Sequence, residues 1–157
     1  MSTPALRFAL PLAAMLALAG LGVATYLAVV HYAHQPIACS SIGDCELVNS
    51  SRYAKVGGIP VALVGAASYA MLAVLAAAAW LRRDAMLLLG AWALALAAFV
   101  FSMYLTYIEL RVLYAICVYC VASASIMSTL FATLSFAVWG ARDEWLPAAA
   151  REPGRAS

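Results

Sequence analysis

The four cysteines of this 157-residue chain fall into two close pairs, Cys39 with Cys45 and Cys117 with Cys120. The CVYC sequence of the second pair sets two thiols one helical turn apart, which suits a disulfide, whose Cα atoms are about 4.4–6.8 Å apart. The first pair closes a small loop that contains Gly43. Two such pairs can exchange thiols for disulfides and so carry electrons, if both lie at the same face of the molecule.

The same cysteines allow other interpretations. They could form two static disulfides that staple the fold, or supply four thiolates to a zinc ion at about 2.3 Å. The CVYC pair alone could also be two core cysteines of an apolar helix. His31 and His34 share a helix face, but two histidines without further ligands make a poor metal or haem site, so we predict no metal.

Composition indicates a membrane protein. Hydrophobic residues make up 67% of the chain and charged residues 10%, with a mean hydropathy of +0.96. Four runs free of Asp, Glu, Lys and Arg exceed the roughly 20 residues that cross a ~30 Å hydrocarbon core. These runs are residues 8–30, 59–80, 86–108 and 115–139. We therefore predict an all-α integral membrane protein, a four-transmembrane-helix bundle over residues 1–145 with a disordered cytoplasmic tail at 146–157.

Basic residues are unequally divided between the two sides of the predicted bundle. One side carries Arg7, Arg82, Arg83, Arg142, Arg151 and Arg155, and the other carries Arg52, Lys55 and Arg111. The positive-inside bias makes the first side cytoplasmic, so both termini face the cytoplasm and both cysteine pairs face outward from the inner (cytoplasmic) membrane. The net charge of +2 is too small to indicate a nucleic-acid partner.

The outer loop between the first two runs is the longest connection and the richest in polar groups. We predict a short amphipathic helix from Cys45 to about Val56, with Asp44 as its N-cap and Gly57-Gly58 as its end.

At the start of the fourth run, Cys117 is expected in the first helical turn, where unpaired N–H groups favour a thiolate and lower its pKa. Cys120 is expected one turn deeper, where it is shielded from water and nearer to lipid.

With these features in place, the chain resembles the vitamin K epoxide reductase family, including its bacterial members. The resemblance rests on the cysteine pair after the first span, on Ser51 within the NSSRY segment at 49–53, on the GGIPVAL segment at 57–63, and on the CVYC sequence that opens the fourth span. It implies a four-helix bundle that encloses a quinone. The Cys117–Cys120 disulfide is then the redox centre, and Cys39 and Cys45 are the shuttle pair.

Carried onto this chain, the resemblance implies a thiol:quinone oxidoreductase that supports disulfide bond formation. A reduced thioredoxin-fold, DsbA-like partner attacks Cys39, the released Cys45 attacks Cys117, and Cys120 faces the quinone. Ser51 helps to position the redox centre or the loop. Many bacterial members carry a fused thioredoxin-like domain; this chain resembles those without one, so the partner is expected to be a separate protein.

The electron acceptor must be a stronger oxidant than a DsbA-like protein, whose potential is about −120 mV, and ubiquinone or menaquinone meets this need. We predict that the quinone contacts Cys120 and apolar or aromatic side chains of the outer half of the bundle. These are Tyr69, Phe99, Met103 and Tyr107. Two alternatives stay open at this point, a zinc-binding or disulfide-stapled membrane assembly protein without redox turnover, and an exporter of electrons to outer substrates.

Overall fold

The structure, a computed structural model, describes residues 4–33, 39 and 44–145. Its helices in chain order are α1 (Pro4–Ala33), the short α2 (Cys45–Ser50), α3 (Val61–Arg82), α4 (Ala85–Ile108) and α5 (Val118–Trp145). The four long helices are each apolar and long enough to cross a membrane. This confirms the predicted all-α, four-span fold. The predicted tail at 146–157, His34 and Gly43 lie outside the described residues.

The four long helices form a ring, in which α1 and α4 each pack against both α3 and α5. Alanines dominate the contacts between them, because small side chains let helices approach closely where lipid supplies no hydrophobic driving force. Fully buried examples are Ala17, Ala79, Ala91, Ala95, Ala137 and Ala141. Leucines fill the centre of the bundle, among them Leu72, Leu88, Leu130 and Leu134.

A tyrosine hydroxyl ties opposite helices of the ring together. Tyr69 of α3 donates to the Ser123 carbonyl oxygen of α5 at 2.9 Å, and its hydroxyl lies 3.0 Å from the Ser123 Oγ. Its ring lies against Gly20 of α1, where an added Cβ would come within 2.6 Å of Tyr69 Cδ1. Polar groups within a bilayer must find hydrogen-bond partners inside the protein, so the bond to Ser123 holds the tyrosine in the centre of the bundle.

The outer loop is less helical than predicted. The prediction of a helix from Cys45 to Val56 was wrong in its end, because α2 stops at Ser50 and a single 3₁₀ turn comes next at Arg52–Ala54. Asp44 is the N-cap residue of α2, as predicted, but its carboxylate makes no capping hydrogen bond. After the 3₁₀ turn the chain forms a hairpin rather than a helix end.

This hairpin pairs β1 (Lys55–Val56) with β2 (Ile59–Pro60) in antiparallel register. Gly57 and Gly58 form its turn with φ of +59° and +85°. A two-residue hairpin turn that matches the right-handed twist of its strands can need positive φ at both positions. Glycine adopts such a φ without steric penalty, because it has no Cβ. The two glycines therefore reverse the chain between the loop and α3.

The connection from α4 to α5 also differs from the prediction. The helix widens into a π-helical turn at Glu109–Leu113, and Tyr114 then adopts a left-handed conformation with φ of +49°. The last helix begins at Val118 rather than at Ala115. Cys117 consequently precedes the first turn, where its carbonyl oxygen accepts from the Val121 N–H at 3.0 Å.

Candidate redox site

The outer cysteine pair is a disulfide between two unequally exposed residues. Cys39 and Cys45 are bonded to each other, with their Cα atoms 6.1 Å apart. Cys45 is the first residue of α2 and is fully buried, whereas Cys39 is half-buried. A thiol arriving from outside therefore has better access to Cys39, and Cys45 faces the protein interior.

The two cysteine pairs lie at the same end of the bundle. The backbone N–H of Asp44, next to Cys45, donates to the carbonyl oxygen of Ile116, next to Cys117, at 3.1 Å. Cys45 and Cys117 belong to one buried cluster, against which Cys39 and Cys120 pack. The structure thus brings all four predicted cysteines together.

The inner pair is present as two free thiols. Cys117 is more buried than Cys120, which is half-buried. The reason is that Cys117 lies under α2, within the cluster formed with Cys45 and Val48.

The pKa of Cys117 falls from its ordinary value of 9.0 to about 7, in the direction that the sequence predicted. The hydrogen bond from the Cys120 thiol is the largest cause, and the N–H groups of Cys120 and Tyr119 at the start of α5 add to it. Burial and the negative charge of Glu109 act in the opposite direction. Near neutral pH, a large fraction of Cys117 is therefore thiolate, the form that attacks disulfides.

A buried carboxylic acid beside the inner pair was missed by the sequence analysis. Glu109 is only 5% exposed, and its Oε2 accepts from the Cys117 N–H at 3.5 Å. Its side chain and that of Cys120 line the same cavity. The signal in the sequence was an acidic residue directly after an apolar run and eight positions before the first cysteine of the CVYC sequence.

A cavity opens next to the inner pair. It has a volume of about 160 Å³ and receives lining side chains from all four long helices and from the outer loop. An apolar cavity of about 150 Å³ can hold one benzene ring, so this one suits a single quinone-sized ring. Polar or thiol groups that line it include Ser51, Tyr69, Glu109, Cys117 and Cys120.

The predicted quinone contacts divide into two groups. Tyr69 and Cys120 line the cavity, but Phe99, Met103 and Tyr107 are not among its lining residues. Phe99 instead stacks on Phe131 with ring centroids 5.1 Å apart, and the other two are exposed on the outside of the bundle. The sequence does not reveal how α4 is rotated about its own axis. In the structure, the face of α4 that points toward the cavity is not the one that carries Phe99, Met103 and Tyr107. The face toward the cavity carries Ala98, Phe101, Ser102, Leu105, Thr106 and Ile108.

Ser51 closes α2 over the inner pair. Its hydroxyl donates to the Val48 carbonyl oxygen at 2.8 Å, and its backbone N–H donates to the same oxygen at 3.3 Å. Since Val48 packs with Cys45 and Cys117, these bonds hold the helix end beside the cysteines.

Metal ligands do not converge in the part of the chain that the structure describes. Across residues 4–33, 39 and 44–145, no three His, Cys, Asp or Glu side chains come together as a metal ion requires. His31 makes an edge contact with Tyr32, with ring centroids 6.0 Å apart.

Paired cysteines at one end of a four-span bundle define a membrane protein that exchanges thiols and disulfides. The sequence profile of the Vitamin K epoxide reductase family matches residues 11–135, a stretch that contains all four cysteines. The chain therefore belongs to this family. Its members are membrane oxidoreductases that in general use quinones and work with thioredoxin-like proteins.

Proposed function

We propose that the protein is a thiol:quinone oxidoreductase that reoxidises a separate, DsbA-like thioredoxin-fold partner and passes the electrons to ubiquinone or menaquinone. One observation carries the proposal. A disulfide and a dithiol share one buried cluster, and the dithiol borders a cavity that suits a single ring. The product of this activity is a recharged disulfide donor, and hence disulfide bonds in outer proteins.

The first steps transfer a disulfide to the partner. A partner thiolate attacks Cys39 Sγ, the Cys39–Cys45 bond breaks, and Cys45 leaves as a thiolate. The second partner thiolate then attacks the partner sulfur of the mixed disulfide. This forms the disulfide of the oxidised partner and leaves Cys39 and Cys45 as a dithiol. The greater exposure of Cys39 supports its role as the point of attack.

The next steps move the electron pair inward. Cys45 attacks Cys117 Sγ of the oxidised inner pair, and Cys120 leaves. Cys39 then attacks Cys45, which restores the outer disulfide and releases Cys117 as a thiolate. The pKa of about 7 favours Cys117 as the leaving group, because a thiol of lower pKa leaves faster. The result is an outer disulfide and an inner dithiol, the combination of the present structure.

A bound quinone would accept the two electrons of the inner dithiol together with two protons. Cys120 and Tyr69 border the cavity in which its ring would lie, and the hydrogen bond to Ser123 holds the tyrosine in place. Ser51 keeps the end of α2 over the site and so helps to exclude water.

The membrane orientation belongs to the same proposal. The start of α1, the α3–α4 connection and the end of α5 lie at the end of the bundle opposite the cysteines, and they carry Arg7, Arg82, Arg83 and Arg142. With this end in the cytoplasm of the inner membrane, both cysteine pairs reach the extracytoplasmic space. A zinc site made of all four cysteines is less well supported, because two of them are already bonded to each other.

Purified protein in lipid nanodiscs, supplied with a reduced DsbA-like protein and a short-chain ubiquinone, tests the proposal. We expect one quinone to be reduced for each disulfide formed in the partner. The absorbance of the quinone monitors the reaction. Cys117→Ser and Cys45→Ser should each abolish steady-state turnover while the protein keeps its thermal stability. Loss of stability with retained turnover would identify structural disulfides instead and contradict the proposal.

A further inference from the structure

Glu109 is the one charged side chain that is fully buried within the described residues. A carboxylate removed from water is costly unless its oxygens find hydrogen bonds. Its hydrogen-bond partner here is the Cys117 N–H, and it lines the same cavity as Cys120, so it lies beside both members of the inner redox pair. The residue is therefore held where a proton of that pair must move.

The π-helical turn delivers this carboxylate to the cysteines. The Glu109 carbonyl oxygen accepts from the Tyr114 N–H and, at 3.2 Å, from the Ala115 N–H. Backbone and side chain of this single residue thus hold the extended segment that leads to Cys117. Widened turns of this kind often occur at functional sites, since they redirect a side chain that a regular helix would point elsewhere.

The chemistry of the inner pair requires a proton acceptor. Cys117 can ionise near neutral pH because the Cys120 thiol donates a hydrogen bond to it, which means that Cys120 keeps its proton in this state. Before the Sγ–Sγ bond can form, that proton must leave Cys120. Among the groups that line the cavity, Glu109 is the one carboxylic acid, and its hydrogen bond to the Cys117 N–H holds it beside the inner pair.

We propose that Glu109 is a catalytic base, which takes the proton from Cys120 as the inner dithiol is oxidised. In this step both thiols lose their protons, the Cys117–Cys120 disulfide forms, and two electrons pass to one quinone, which with two protons becomes hydroquinone. The Cys117 proton has already gone to water on ionisation. The Cys120 proton passes through Glu109 into the cavity, and water supplies the second proton. This inference rests on the proposed function and assigns a residue to its last step.

Few other titratable groups surround this carboxylate. From the helices and loop that line the cavity, Tyr69 of α3, Tyr53 of the outer loop and the two inner cysteines share it with Glu109. Arg111, on the same turn as Glu109, is exposed. A pH profile of the last step therefore reports chiefly on the cysteines and this acid.

The test is single-turnover reoxidation of the reduced protein by a short-chain quinone, measured by alkylation and mass shift between pH 5.5 and 8.5. We expect Glu109→Gln to slow reoxidation about 100-fold at pH 7, as loss of a general base does. Its rate should then rise about tenfold per pH unit, because hydroxide must replace the lost base. Glu109→Asp, which keeps a carboxylate, should recover most of the rate. Glu46→Gln, which changes an exposed acid on α2, should match the unaltered protein.

A second measurement separates this role from that of a structural support. In the absence of quinone, a reduced DsbA-like partner should still reduce the inner pair of Glu109→Gln completely, with an unchanged melting temperature. Equal slowing of Glu109→Gln and Glu109→Asp with an unchanged pH profile would overturn the inference, as would a normal rate in Glu109→Gln. Failure of the unaltered protein to be reoxidised by quinone would instead contradict the proposed function.

Discussion

Cys117 and Cys120 are three positions apart, yet their surroundings give them different chemistry. Cys117 receives hydrogen bonds from the Cys120 thiol and from N–H groups at the start of α5, and its pKa falls to about 7. Cys120 borders the cavity and contacts Glu109. The first residue is thus suited to exchange with Cys45, and the second to the delivery of electrons and a proton.

This difference predicts how Cys117 responds to pH. In a Cys39→Ser/Cys45→Ser background, alkylation of Cys117 should rise with pH through an apparent pKa near 7, because only the thiolate reacts. Adding Cys120→Ala removes the thiol donor and should raise that pKa by at least one unit, so at pH 7 Cys117 reacts at least about fivefold more slowly. The rates are measured by mass spectrometry after timed alkylation.

Cys120→Ser is the matched control, because its hydroxyl can still donate to the Cys117 thiolate. It should shift the Cys117 pKa less than Cys120→Ala does. An alkylation profile that is the same in all three proteins would contradict the assigned cause of the lowered pKa.

At the scale of single elements, α1 and α3 depend on one close contact. Gly20 lies against the ring of Tyr69, which is buried and hydrogen-bonded to Ser123, so the ring cannot move aside. We expect Gly20→Ala to lower the free energy of unfolding by about 1–3 kcal/mol, the usual cost of overpacking a core. Thermal unfolding in detergent measures the effect.

Gly22→Ala is the matched control on the same helix, since nothing lies within 4 Å of the Cβ that it adds. It should leave the melting temperature unchanged or raise it slightly through the better helix propensity of alanine. Equal stability of the two variants would show that the ring contact with Gly20 does not constrain the bundle.

The sequence predicted the long helices well and the short elements poorly. The apolar runs located four spans because the bilayer imposes their length and composition. The hairpin at 55–60 depends on the positive φ of Gly57 and Gly58, and such a turn is also compatible with a helix end, which is what the sequence analysis chose. The π-helical turn after Ile108 and the hydrogen bonds of Glu109 to Ala115 and Cys117 leave no periodic pattern in the sequence.

The candidate site was predictable in its cysteines but not in its cavity. Four thiols in two closely spaced pairs, both expected at the same membrane face, indicate exchange. The side chains that line a cavity depend on the rotation of each helix about its axis, and in a helix that is apolar all round the sequence does not encode this rotation visibly. Phe99, Met103 and Tyr107 therefore do not line the cavity, whereas Tyr69 does.

At the scale of the whole molecule, function depends on the meeting of two distant segments. The loop after α1 and the segment before α5 are more than 70 residues apart in the chain, and the hydrogen bond from Asp44 to Ile116 joins them. The four-helix ring makes this possible, because α1 ends and α5 begins at the same face. The membrane bundle thereby holds an outer disulfide next to an inner dithiol.

Direct exchange between the two pairs is the central claim, and trapping its intermediate tests it most directly. In Cys39→Ser/Cys120→Ser, only Cys45 and Cys117 remain, and mild oxidation with diamide should link them within one chain, as seen by mass spectrometry of proteolytic fragments. Cys45→Ser/Cys120→Ser, which leaves Cys39 and Cys117, should link far less. A dominant Cys45–Cys117 linkage is the predicted result, and its absence, or equal linkage in both variants, would contradict the account.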